Sequence, residues 1–62
     1  MNRLREKRAR KRITQFQLRI ATRIHQSKIS LIENGLIQPT EDEMKRISKA
    51  LGVDAEEIWK ED

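Results

Sequence analysis

Three times in 62 residues this chain writes the same helix-starting device: Thr14-x-x-Gln17, Thr40-x-x-Glu43 and Asp54-x-x-Glu57. In each, the first side chain is spaced to accept the amide three residues on, and the later one to accept the amide of the first. Helix stops stand between them. Asn34-Gly35 tolerates the left-handed backbone that ends helices, and Pro39 bars a helix from running through it. Gly52 closes a segment in which Met44, Ile47 and Leu51 recur at i, i+3, i+7. A chain punctuated in this way has room only for short helices.

Residues 2–11 read as a first helix, with Asn2 as its N-cap. The second helix starts at Thr14 and sets Leu18 and Ala21 on one face, and Ile24 follows in the turn. His25 or Gln26 begins the third, with Ile29 and Ile32 facing inward. Residues 36–39 form a loop, the fourth helix runs from Thr40 to Gly52, and a short last one carries Ile58 and Trp59. No strand pattern, linker, repeat or low-complexity tract appears. The expectation is an all-α, compact five-helix bundle, a single domain over residues 1–62.

Its core should hold Leu4, Ile13, Leu18, Ile24, Ile29, Ile32, Met44, Ile47, Leu51, Val53, Ile58 and Trp59. Burying such side chains is worth roughly 1.5–3 kcal/mol each, whereas ordering the backbone costs about 1–2 kcal/mol per residue. A chain this short buries only about 60% of the surface its unfolded form exposes. Three capping boxes, each worth about 1 kcal/mol, therefore count.

Composition removes whole classes of function. There is no cysteine, hence no disulfide, thiolate nucleophile or Cys-type zinc site, and with the single His25 a transition metal has almost no ligands. Neither a metal nor a cofactor is expected. No apolar run approaches the ~20 residues that span a bilayer, and no signal-peptide pattern opens the chain. The expectation is a soluble, cytoplasmic protein.

Charge is unevenly placed. Residues 1–38 carry ten Lys/Arg against Glu6 and Glu33, a net +8, whereas residues 39–62 carry four against eight acidic residues, a net −4. Such a basic half attracts polyanions; it is equally the composition of a solvated basic helix. A basic membrane-surface helix fits less well, because residues 2–12 offer only Leu4 and Ala9 as apolar surface.

Residues 14–35 read as two short helices joined by a tight turn, the second with Gln26, Ser27 and Lys28 on its first turn. That is where a DNA-reading helix places its base-contacting side chains. Thr14-Gln15, Leu18, Ile24, Ile29-Ser30, Ile32-Glu33-Asn34-Gly35, Pro39 and Ala50-Leu51-Gly52-Val53 follow in an order and spacing that resembles the XRE-type domains of Cro and the phage repressors. The resemblance covers about residues 2–59, with the helix-turn-helix at about 14–35. It implies a lambda-repressor-like fold whose second motif helix lies in the major groove while the first crosses the backbone.

By the same resemblance, Gln26, Ser27, Lys28 and Leu31 face base edges. A glutamine amide suits adenine, Lys28 a guanine edge or a phosphate, and Leu31 a thymine methyl. Gln15, at a helix N-terminus, and Asn34 hold phosphates. Glu33 is structural, with Arg8 where relatives carry its ion-pair partner. Three positions depart from the pattern: Arg19 where many members have alanine, Arg23 in place of the turn glycine, and Lys7 where a leucine is usual. Arg19 and Arg23 then extend the phosphate-binding face, at the cost of strain in the turn.

Plainer readings stand beside these. Gln26, Ser27 and Lys28 also suit an ordinary polar face, and His25 is either a phosphate or base contact or a solvated helix start. Phe16 and Ile20, at i, i+4 and off the Leu18/Ala21 face, are a local stabilising pair or a partner surface. Trp59, with Leu36 and Ile37, either caps the core or meets a second subunit. The function implied is a sequence-specific, double-stranded-DNA-binding transcriptional regulator, a homodimer on a pseudo-palindromic site. The alternative is a protein-interaction module, an antitoxin or adaptor. An enzyme is rejected: Glu41, Asp42, Glu43, Asp54, Glu56 and Glu57 are accounted for as residues favoured at helix starts.

Overall fold

The capping boxes set where the helices begin. The computed structural model describes residues 2–60, and among these it forms α1 (Leu4–Arg10), α2 (Gln15–Thr22), α3 (Gln26–Glu33), α4 (Glu41–Leu51) and α5 (Ala55–Trp59). Thr14 Oγ1 accepts the Gln17 amide at 3.0 Å while Gln17 Oε1 accepts the Thr14 amide at 2.8 Å. Thr40 and Glu43 make the same pair at 3.1 and 2.9 Å. At α5, the Asp54 amide donates to Glu57 Oε2 at 3.0 Å. The first helix is shorter than the spacing predicts, because Arg3 rather than Asn2 is its N-cap. Asn2 instead accepts the Leu4 amide on Oδ1 at 3.0 Å and donates from Nδ2 to the Ile32 carbonyl at 2.7 Å, tying the chain start to α3.

Three helices end alike. After α1, α3 and α4 the chain turns through a left-handed residue (Arg12, Gly35, Gly52), and the next amide reaches back to a carbonyl five residues earlier. This is the Schellman arrangement, which satisfies carbonyls the helix leaves over. After α2 the left-handed residue is Arg23 (φ 61°), whose amide donates to the Arg19 carbonyl at 2.7 Å. For an L side chain that conformation costs roughly 1–2 kcal/mol.

Helix neighbours close into a circuit: α1 packs on α3, α3 on α2, α2 on α4, α4 on α5, and α5 on α1. Inside it Leu4, Leu18, Ile24, Ile29, Ile32, Ile47, Leu51 and Ile58 are buried, with Ile13, Ile37, Ala50, Val53 and Trp59 packed partly exposed against them. Met44 is only half-buried. On α2 the inward partner of Leu18 is Thr22, not Ala21, which is exposed. Thr22 can be fully buried because its hydroxyl donates to the Leu18 carbonyl at 2.7 Å. From α4, Arg46 donates to the Thr22 carbonyl at 2.6 Å and pairs with Asp42 at 2.9 Å. Lys7, at a position where leucine was noted as usual, is half-buried with its ammonium 4.0 Å from Glu57 of α5.

Candidate nucleic-acid interface

The sequence of α3 divides it lengthwise. Ile29, Ile32 and Glu33 are buried, whereas Ser27, Leu31 and Asn34, spaced i, i+4, i+7, form an exposed stripe with Gln26 and Ser30 half-buried along its edge. Its N-cap, His25, is exposed and makes no side-chain cap bond. The outward face of α3 is thus polar and unpartnered at its N-terminal turn, apart from Leu31, which is 39% exposed.

The C-terminal turn is fixed by one carboxylate. Glu33, 2% exposed, accepts Arg8 Nε at 2.7 Å on Oε2. On Oε1 it accepts Gln15 Nε2 at 3.0 Å, Arg8 Nη2 at 3.3 Å and Arg5 Nε at 3.4 Å. Burial pushes this carboxyl upward. The hydrogen bonds from Arg8 and Gln15, the Arg8 charge and the Arg5 bond outweigh burial and hold it below the ordinary range. Arg8 also donates to the Ile13 carbonyl at 2.9 Å, so a single guanidinium locks the end of α1 onto α3. Arg5 reaches on to Asn34 Oδ1 at 2.9 Å, and Asn34 Nδ2 donates to the Ser30 carbonyl at 2.9 Å.

Gln15, assigned by resemblance to a phosphate, is engaged twice within the protein. An ionised carboxylate only accepts, so Gln15 must present its NH₂ to Glu33 and turn its oxygen away. That oxygen faces Gln26 Nε2 at 3.5 Å, a long contact. One hydrogen of the Gln15 amide and the carbonyl side of Gln26 remain for other partners. Arg19, Arg23 and His25 come together with Ile20 and Ile24 around a shallow cleft of about 260 Å³ at the α2–α3 turn.

Lys28 lies apart from the stripe. Its ammonium is 2.6 Å from Glu43 Oε2 of α4, so the structure seats it between helices rather than beside Ser27 and Leu31. The Lys28 hydrogen bond, with the amide of Thr40, lowers the Glu43 carboxyl below its ordinary range. Sequence reading took Glu43 only as a capping partner; nothing in the spacing of residues 28 and 43 signals their meeting. Arg12, which no motif singled out, stands with φ 56° just before the α2 cap.

Of the candidate partner residues, Phe16 (56%) and Ile20 (63%) are exposed together on α2. Trp59 and Ile37 pack on the core, while Leu36 is 70% exposed. No helix among the described residues is long and apolar enough to cross a membrane. A family model described as a helix-turn-helix domain matches residues 2–58. Comparison with curated proteins and with solved structures finds no significant match.

Proposed function

The chain belongs to this helix-turn-helix family, of the XRE/Cro-like type, and from that premise we propose that it is a sequence-specific regulator of transcription. It binds double-stranded DNA as a homodimer on a pseudo-palindromic operator and acts as a repressor, in the cytoplasm, by occupancy and without chemistry of its own. The observation that carries this reading is the exposed stripe of α3, whose first turn is polar and uncapped while its last turn is held by Glu33. A helix fixed at its far end and open at its near end suits insertion into a major groove.

In this reading Gln26 and Ser27 face base edges and Leu31 a thymine methyl, while Asn34, Arg19, Arg23 and His25 hold phosphates. Gln15 donates its remaining hydrogen to a phosphate, and Lys28 reaches DNA only by leaving Glu43. Selection from a randomised duplex pool tests it. Wild type should enrich two inverted half-sites about 34 Å apart, and Gln26→Ala should lose roughly 1–3 kcal/mol on that site and relax preference at one base pair. An unchanged preference in the variant would sink the role given to Gln26.

Phe16 and Ile20 favour a second reading, a protein-interaction module such as an antitoxin or adaptor, because a soluble domain seldom exposes two large apolar side chains side by side without use. DNA binding nearly independent of salt would support that module over a regulator.

A further inference from the structure

Four described residues have positive φ, and they divide by type. Gly35 (74°) and Gly52 (68°) occupy two of these positions; Arg12 (56°) and Arg23 (61°) occupy the others. Glycine adopts this conformation freely, and among other residues asparagine and aspartate are the usual substitutes. Both arginines flank the same helix: Arg12 lies two residues before the Thr14 cap of α2, and Arg23 is its C-cap. Backbone strain of this kind persists where the surroundings over-determine it, and it collects at functional sites.

Neither side chain is used by the fold. Arg5, Arg8 and Arg46 are committed to carboxylates and carbonyls, whereas Arg12 and Arg23 are exposed and, among the described residues, make no side-chain hydrogen bond or ion pair. Arg12 lies at the end of α2 whose dipole favours an anion, within the same surface as Arg10 and Lys11, which are exposed as well. Arg23 stands beside Arg19 and His25 in the cleft at the opposite end.

We propose that Arg12 and Arg23 form a bracket of DNA-phosphate ligands, one at each end of α2, and that this binding retains arginine at two positions where the backbone alone would select glycine. The inference rests on the duplex-DNA reading above and extends its footprint to Arg12, on the far side of α2 from the turn. Because phosphates carry no sequence, the bracket raises affinity for every duplex alike.

Glycine substitution tests it, since folding and binding should move in opposite directions. Arg12→Gly and Arg23→Gly should each raise Tm, by roughly 4–8 °C for a domain of this size. Each should weaken binding about five- to tenfold at 0.1 M salt, on selected and random duplexes equally, and make the slope of log affinity against log salt shallower by ~0.9. Arg12→Lys and Arg23→Lys, which keep both charge and strain, should leave Tm and slope near wild type. Glycine variants that gain stability yet keep wild-type affinity and slope would overturn the bracket while leaving the DNA reading intact. A fall in Tm would remove its premise, the strain. Wild type that binds no duplex at all would sink the DNA reading and the bracket with it.

Discussion

Two turns in this molecule follow one backbone route with different chemistry. Between α2 and α3 the chain passes through Arg23, Ile24 and His25; between α4 and α5, through Gly52, Val53 and Asp54. Each begins with a left-handed residue at φ 61° or 68°, continues with an aliphatic side chain turned to the core, and ends in an N-cap. In the second turn every residue suits its place: glycine fits the left-handed site, and Asp54 joins a capping box with Glu57. In the first, an arginine is strained and a histidine leaves the following helix without a side-chain cap. Local rules that hold in one turn and fail in its counterpart mark the failing one as the place where something other than stability selects the residues.

The largest test of that contrast lies where each following helix is anchored. Glu33→Ala should cost about 3–5 kcal/mol, because it strands the Arg8 guanidinium that lies mostly buried against α3. A domain of this length has only roughly 3–9 kcal/mol to lose, so urea denaturation should find the variant near or past unfolding at 25 °C. Glu57→Ala, removing a half-exposed carboxylate 4.0 Å from Lys7 and the return bond of a capping box, should cost about 1 kcal/mol. Equal losses would end the contrast.

Acid should separate the regions next. Glu33 and Glu43 both have carboxyl groups lowered from the ordinary 4.5, so each contributes stability that is complete above that value. The contribution is lost as pH falls through their lowered folded values. Tm measured downward from pH 7 should therefore hold until about pH 4.5 and then decline, and Glu43→Gln should flatten part of the decline. A decline that begins near pH 6 would assign the loss to another group.

Smaller effects probe the turns themselves. Gly52→Ala should cost roughly 1–2 kcal/mol from backbone conformation alone, since an added Cβ meets nothing within 4 Å. A larger loss in thermal unfolding would mean the turn is tighter than it stands. Smallest of all, Phe16→Ser should change stability by less than about 0.5 kcal/mol, whereas Leu18→Ala two residues away should cost roughly 2–5 kcal/mol. If both lost alike, Phe16 would be core and no partner surface.

Much of the fold was legible because capping is local chemistry. Thr14, Thr40 and Asp54 mark the starts of α2, α4 and α5, and the periodic aliphatics give all eight buried hydrophobic residues. What stayed hidden depends on contacts between distant segments. Thr22 reads as polar until its hydroxyl is seen to bond within its own helix, and so Ala21 was wrongly expected to face inward. Lys28 reads as free until α4 brings Glu43 within 2.6 Å. Gln15 reads as an exposed helix-start amide until Glu33, eighteen residues on, takes one of its hydrogens. The strain at Arg12 was invisible, because basic side chains before a capping box give no sign of a left-handed backbone. The outward residues of α3 could be picked from sequence, but not the way their neighbours constrain them.

The circuit of helix contacts closes through one bond, from the Arg3 amide to the Ile58 carbonyl at 2.8 Å. In space the bundle is therefore a ring, although the chain that makes it is a line. Where residues 3 and 58 already touch, a short covalent bridge would ask for almost no rearrangement, and exposed Leu36 between α3 and α4 offers a place to open the ring instead. Threaded in that order, α4 and α5 would be made first and the reading helix last, with the same walls around the same core.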